Sequence, residues 1–213
     1  MHWPSRLFVT GTDTDAGKSY ATGWLANKIA ADNRKVITQK FIQTGNREFS
    51  EDIQVHRKIM RTGLLPADLL HITAPIIMSY PASPELAARI DGVEIDLGIV
   101  DQATKTLLAE YDTVIVEGAG GLMVPIKGDY LTIDYIRERN IPAVLVTNGK
   151  LGSINHTLLS LRAISDSGID LFAVIYNPYF DKDKIIAEDT RNYIRGWLRS
   201  HFPDTLFMEM SNH

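Results

Sequence analysis

Residues 11–19 read Gly-Thr-Asp-Thr-Asp-Ala-Gly-Lys-Ser, and they stand between an apolar run and a helix-period stripe. Arg6-Leu7-Phe8-Val9-Thr10-Gly11 has the make-up of a buried strand, while Ala21, Leu25 and Ile29 recur downstream at helical spacing. A loop at such a junction aims its backbone N–H groups at one spot and adds the positive end of the helix dipole, which together bind phosphate. Lys18 is placed to reach outer phosphates, and the Ser19 hydroxyl suits a Mg2+ ligand. The strict pattern G-x-x-x-x-G-K-[ST] wants a glycine where this chain has Thr12, with Gly11 one place earlier. Asp13 and Asp15 oppose an anion by charge, so they suit solvent, metal-bound water or a cationic substrate such as an amine.

The rest of the chain repeats this alternation. Near-continuous apolar runs at 7–9, 36–38, 113–116, 143–146 and 172–175 are what strands covered on both faces require. Between them lie amphipathic stripes, with Ile154, Leu158, Leu161 and Ile164 forming one and Ile186, Tyr193 and Trp197 another. Residues 44–95 are less regular, with helices expected near 51–61 and 84–91. The expectation is an α/β fold of the P-loop NTPase type, with a mostly parallel central sheet and helices on both faces. No repeat, low-complexity tract or long linker divides it, so residues 1–213 are expected to form a single domain.

Composition narrows the function classes. A content of 45% hydrophobic and 23% charged residues is enough for a real core, and a net charge of −4 disfavours nucleic acid as the main partner. The absence of cysteine excludes thiolate metal sites and cysteine nucleophiles, and suits a reducing compartment. Residues 1–6 lack the features of a signal peptide, and no apolar stretch approaches the roughly 18 residues of a membrane helix. A cytoplasmic protein without a membrane partner is expected.

Asp112 to Gly121 reads as a buried strand running into Glu117 and then a glycine-rich turn. Ligands of open parallel sheets collect at the carboxyl ends of the strands, which brings Glu117 near the phosphate loop as a Mg2+ ligand, direct or through water. Gly118, Gly120 and Gly121 let backbone approach a ligand. Lys40 ends another strand at the same edge, where it would neutralise charge on a transferred phosphoryl group, although taken by itself it reads as a surface lysine. Thr44 and Asp52 add a hydroxyl and a second metal carboxylate. Free N–H groups at 152–155 would bind an anion such as a carboxylate, and His156 reads as a capping or packing residue rather than an acid–base group.

Taken in order, these segments resemble the dethiobiotin synthetase family. The matching stretches are 11–19, Gln39 to Gly45, Asp52, Pro81-Ala82-Ser83-Pro84, Val116 to Gly121, Lys150 to His156, and Asn177; together they cover about residues 6–178. The displaced glycine of the loop is that family's own variant. The resemblance implies a ligase that uses ATP and Mg2+ to close a ureido ring on 7,8-diaminononanoate with CO2, through a carbamate and a carbamic-phosphoric anhydride. It implies that residues 11–19, from Gly11 and Thr12 through Asp13, Ala16 and Gly17, hold the nucleotide together with Glu117, Gly118 and Gly120. It places Lys18 and Lys40 on phosphates, and Ser19, Asp52 and Glu117 on the metal. Thr14, Asp15 and Thr44 line the phosphoryl-transfer site, and Asn177 reads the base. Ser83 contacts substrate, and a homodimer interface holds the substrate carboxylate near Gly152, Ser153 and Asn155.

Three residues depart from the family's usual pattern: Ser19 replaces threonine, Phe41 stands where proline commonly follows the lysine, and Glu85 where histidine is frequent. No Gly-x-x-Pro base-binding stretch follows Met208, which leaves the base open between adenine and a pyrimidine. Two other classes share the loop. A switch or partition-type ATPase predicts a second lysine early in the loop or an Asn-Lys-x-Asp motif, and the sequence has neither. A small-molecule kinase predicts an arginine-rich lid, whereas Arg47, Arg57 and Arg61 are scattered.

Overall fold

The uninterrupted apolar runs become strands because both faces of the sheet are covered, so neither side of the pleat calls for polar residues. The computed structural model describes residues 2–211. Its first half contains β1 (Arg6–Gly11), α1 (Lys18–Ala31), β2 (Val36–Lys40), β3 (Gln43–Thr44), α2 (Glu51–Met60), α3 (Pro66–Leu69), β4 (Ile77–Met78), α4 (Pro84–Asp91) and α5 (Leu97–Leu108). The second half contains β5 (Thr113–Gly121), β6 (Pro125–Lys127), β7 (Tyr130–Leu131), α6 (Thr132–Glu138), β8 (Ala143–Asn148), α7 (Ser153–Asp166), β9 (Leu171–Asn177), α8 (Lys184–His201) and β10 (Leu206–Glu209).

Six strands form the central sheet in the order β10-β9-β8-β1-β5-β2, with every neighbouring pair parallel. All five apolar runs lie in it. Alternate residues of each strand feed opposite faces, as the pleat demands. Phe8, Val116, Leu145 and Val174 join Val100, Ile136, Leu161 and Ile194 of α5, α6, α7 and α8 in one core. Leu7, Val9, Ile115, Val144 and Ile175 join Ala21, Leu25 and Ile29 of α1 in the other. Helices therefore cover both faces, as expected.

The helices at 51–60 and 84–91 match expectation to within one residue, and Ser50 caps the first by accepting from the Ile53 N–H at 3.1 Å. The buried stripe of α8 differs: Ala187, Thr190, Ile194 and Leu198 face inward, while Tyr193 is half-exposed. Trp197 nevertheless packs against the core and Ile186 is partly buried, so the expected stripe lies one position off the buried one, at the core's rim. β10 was not legible as a strand because Met208 is its one fully buried residue. No helix among the described residues is long and apolar enough to cross a membrane.

Candidate active site

β1 runs into a short 3-10 turn at 14–16, then Gly17, then α1. Gly17 has φ +90°, in the left-handed region, and a side chain there would overlap the Asn177 amide. That amide is itself part of the loop's frame: Asn177 Nδ2 donates to Ala16 O at 3.1 Å, and Oδ1 accepts from Tyr179 N at 3.1 Å. Thr12 N donates to Val146 O at 3.0 Å, tying the loop to β8 on the other side. Lys18 lies inside the curl, donating from Nζ to Asp13 O at 3.0 Å and Thr14 O at 3.2 Å. Ala16 is buried, Thr12 is half-buried, and Asp13, Thr14 and Asp15 are exposed. The first turn of α1 leaves N–H groups with no partner inside the helix, which is the anion-binding property of such a terminus.

Sheet register builds the charged centre next to this loop. Lys40 on β2 pairs directly with Glu117 on β5, so the two side chains leave adjacent strands at one level. Lys40 Nζ is 2.8 Å from Glu117 Oε1 and 2.5 Å from Asp52 Oδ2 of α2, and it donates to Gly118 O at 3.2 Å. Ser19 Oγ lies 2.8 Å from Asp52 Oδ1 and 3.0 Å from Glu117 Oε1, one hydroxyl proton between two carboxylates. Lys40 is therefore not a surface lysine; it is 4% exposed, and Glu117 is fully buried.

Burial alone would push the Glu117 carboxyl up, but the Lys40 ammonium and then His56 outweigh it and hold the group far below the usual carboxylate range. Burial would push Lys40 down, yet Glu117 and Asp52 together raise it. Lys18 goes the other way: burial lowers it and Lys40 adds to the effect, against the pull of Glu117. An anion bound beside Lys18 would offset that burial.

The oxygens of Ser19, Asp52 and Glu117 form the hard donor set that suits Mg2+. No cluster of three or more His, Cys, Asp or Glu side chains among the described residues has metal-binding form. Mg2+ habitually takes one or two carboxylates and completes its shell with water and substrate phosphate, so this smaller set fits it. Lys40 supplies a positive charge between the same two carboxylates, 2.5 and 2.8 Å from them.

Sequence reasoning missed the residue that backs Glu117. His56 of α2, fully buried, places Nε2 2.5 Å from Glu117 Oε2 and Nδ1 3.0 Å from Thr38 Oγ1. It stands four residues after Asp52, so one helix face carries both, and that spacing was the available signal. Behind it Arg57 makes a two-pronged contact with Asp68, Nε to Oδ2 and Nη2 to Oδ1 each at 2.8 Å, and Nη1 donates to Thr38 Oγ1 at 2.8 Å. Arg57 is a buried brace, a role the sequence reading did not foresee, and not part of a lid, which the scatter of Arg47, Arg57 and Arg61 argues against.

The remaining expected residues lie outside this cluster. Thr44 and Ser83 are half-buried, and their segments meet where Gly45 packs on Pro81. Ser153 opens α7 and donates from Oγ to Asn148 Oδ1 at 2.6 Å, while Gly152 and Asn155 are exposed. His156 is exposed as well, so it does not pack in the core. Gly118 serves packing, since a side chain there would press on the Phe8 ring at 2.7 Å. Phe41 fills the core against Phe8 and Tyr135, with ring centroids at 5.4 and 4.5 Å. Glu85 accepts from Gly128 N at 2.9 Å. A surface cavity of about 630 Å3 is lined by Glu94, Lys127, Tyr130 and Arg139 and by no residue of the phosphate loop.

A protein-family model described as an AAA domain matches residues 5–197. Among solved structures, the putative plasmid partition protein of Borrelia burgdorferi B31 aligns over all of this chain and 88% of its own, with a TM-score of 0.57 and 14% identity. Chloroplast FtsY of Physcomitrella patens aligns at TM-score 0.55 and 17% identity, and this chain spans 58% of its length. At such identities the likeness establishes the P-loop NTPase fold alone. The ATP-dependent dethiobiotin synthetase of Chlorobaculum tepidum is 45% identical over 92% of this chain and 82% of its own. That of Pasteurella multocida is 45% identical over 204 residues, 96% of each chain. With a match of that depth along nearly its whole length, the chain belongs to the ATP-dependent dethiobiotin synthetase family.

Proposed function

We propose that this protein closes the ureido ring of dethiobiotin from 7,8-diaminononanoate, CO2 and ATP, releasing ADP and phosphate. The observation that carries the reading is the register pairing of Lys40 with Glu117 beside Ser19 and Asp52, at the mouth of a loop that already curls around Lys18. One amine of the substrate adds to CO2 and loses a proton, giving a carbamate. A carbamate oxygen displaces ADP from the terminal phosphorus, giving a carbamic-phosphoric anhydride. The second amine attacks its carbonyl carbon and expels phosphate, closing the ring.

Such phosphoryl transfer needs positioning and charge neutralisation more than a protein nucleophile. The backbone N–H groups of residues 11–17 cradle the phosphates, and Lys18 and Lys40 neutralise the oxygens in flight. Thr14, Asp15 and Thr44 line the transfer site. Ser19, Asp52 and Glu117 hold Mg2+, which when bound screens the phosphate oxygens. Asn177 lies at the base end; with its amide engaged by Ala16 and Tyr179, it has one N–H left for a base.

The same proposal takes residues 1–213 as one working domain and the molecule as a cytoplasmic homodimer without nucleic-acid or membrane partners. Leu151 is 87% exposed and Leu159 64% exposed beside Gly152, Ser153 and Asn155, an apolar edge suited to a second copy. The substrate carboxylate binds at the N-terminus of α7 along that edge, with Ser83 contacting the substrate. The test supplies the diamine, bicarbonate, Mg2+ and each nucleotide in turn, and weighs dethiobiotin by mass spectrometry. Phosphate release that ignores the diamine would favour the partition-type reading.

A further inference from the structure

His56 is buried, charged groups surround its partner, and no step above uses it. Its two ring nitrogens have distinct tasks. Nε2 faces Glu117 Oε2 at 2.5 Å, and a carboxylate 2.8 Å from an ammonium offers lone pairs, so Nε2 carries the hydrogen. Nδ1 then accepts from the Thr38 hydroxyl at 3.0 Å, whose oxygen in turn accepts from Arg57 Nη1 at 2.8 Å. Arg57 is in turn locked by Asp68, which also accepts from Thr73 Oγ1 at 2.6 Å and from Leu65 N at 2.7 Å. The imidazole is thus held at its far edge by a chain of buried side chains, Thr38, Arg57 and Asp68.

We propose that His56 is a positioning residue for the metal centre: by occupying Glu117 Oε2 it leaves Oε1 as the single oxygen presented to Ser19, Lys40 and the cation. Because Asp52 and His56 lie four residues apart on α2, that one helix supplies a metal oxygen and sets the rotation of the other carboxylate. Outer partners of this kind, when removed, typically cost ~10–100-fold in metal affinity or activity. The inference rests on the reading of Ser19, Asp52 and Glu117 as metal ligands.

The variants that test it differ in reach. A glutamine carries its amide nitrogen near the position of Nε2, whereas asparagine ends near Nδ1 and leaves Oε2 without a donor. The readout is Mn2+ affinity by electron paramagnetic resonance with a non-hydrolysable ATP analogue bound, together with the Mg2+ concentration giving half-maximal ring closure. His56→Asn is expected to weaken both by ~10–100-fold, and His56→Gln to restore most of the loss. An His56→Asn variant that binds Mn2+ like wild type overturns the proposal, as does an His56→Gln variant as weak as His56→Asn. If His56→Asn does not fold, His56→Gln decides alone, with retained affinity supporting the proposal and lost affinity overturning it. A wild-type protein that binds no Mn2+ beside the nucleotide overturns the metal-ligand reading as well; wild-type binding unchanged in the variants overturns the role of His56 alone.

Discussion

Two helices at the carboxyl ends of the sheet strands start after a positive-φ glycine, and the turns that lead into them have different surroundings. β1 enters α1 through residues 11–17, and β8 enters α7 through residues 149–152; each helix begins after a glycine with positive φ, at Gly17 and Gly152. The first turn has β5 and β2 beside it, which bring Glu117 and Lys40 together and gather Asp52 and Ser19. The second lies on β8, between β9 and β1; there Ser153 Oγ donates to Asn148 Oδ1, Lys150 N donates to the same oxygen at 3.1 Å, and the Asp181 carboxylate, which accepts from the Tyr176 hydroxyl at 2.9 Å, lies against Gly149. Both turns offer a helix terminus that attracts an anion. What sets the first turn apart is the buried lysine held between two carboxylates, Lys40 with Glu117 and Asp52, which the second lacks among the described residues.

The contrast breaks most sharply at Lys18. Replacing it with alanine is expected to lower turnover by ~10^2–10^3-fold or more, in line with loss of a preorganised transition-state stabiliser. Its bonds are to carbonyls of its own loop, so the thermal midpoint should move little. A collapse of the melt instead would make Lys18 a structural strut.

Glu117→Gln comes next, and it acts on stability as well as rate. It removes one of the two carboxylates that pair with buried Lys40 and leaves Asp52 at 2.5 Å, so the expected loss is below the about 3–5 kcal/mol of a buried charge left with no partner. The folded-state pKa of Glu117 is depressed, so its stabilisation is complete above the ordinary carboxylate range and is lost as pH falls toward the lowered value. Denaturation measured from neutrality downward should show a steep acid limb in wild type and a flatter one in Glu117→Gln. Superimposable acid limbs, or an unchanged Mg2+ titration, would remove the charge pair from its assigned role.

The smallest effect belongs to the second turn. Ser153→Ala deletes a single hydrogen bond, worth about 1 kcal/mol. The expected result is a severalfold rise in KM for the diamine with the KM for ATP unmoved. A shift in the nucleotide KM would mean that the two turns serve one ligand.

Much of this was legible because it is local. The apolar runs, the α1 stripe and the loop from Gly11 to Ser19 each depend on neighbours within a few residues, where strand and helix periods are written directly. Lys40 was ambiguous for the opposite reason: a lysine ending a strand looks like any surface lysine until the strand beside it is known. His56 was hidden in an irregular stretch, though its spacing from Asp52 could have marked it. The α8 stripe is offset by one position because Tyr193, apolar in part, is half-exposed, while Trp197 packs on the rim of the core. β10 escaped because an edge strand with one buried residue carries almost no pattern.

By itself the sequence determined the phosphate loop, the alternation of strand and helix, and the family, since each is a matter of residue order. The tertiary structure decided that Lys40 and Glu117 are paired, that His56 faces the far oxygen of Glu117, and that Arg57 braces rather than covers the site. Those contacts join residues 77, 61 and 11 positions apart in the chain. Register between parallel strands and the docking of α2 set them, and neither is encoded in any short stretch of residues.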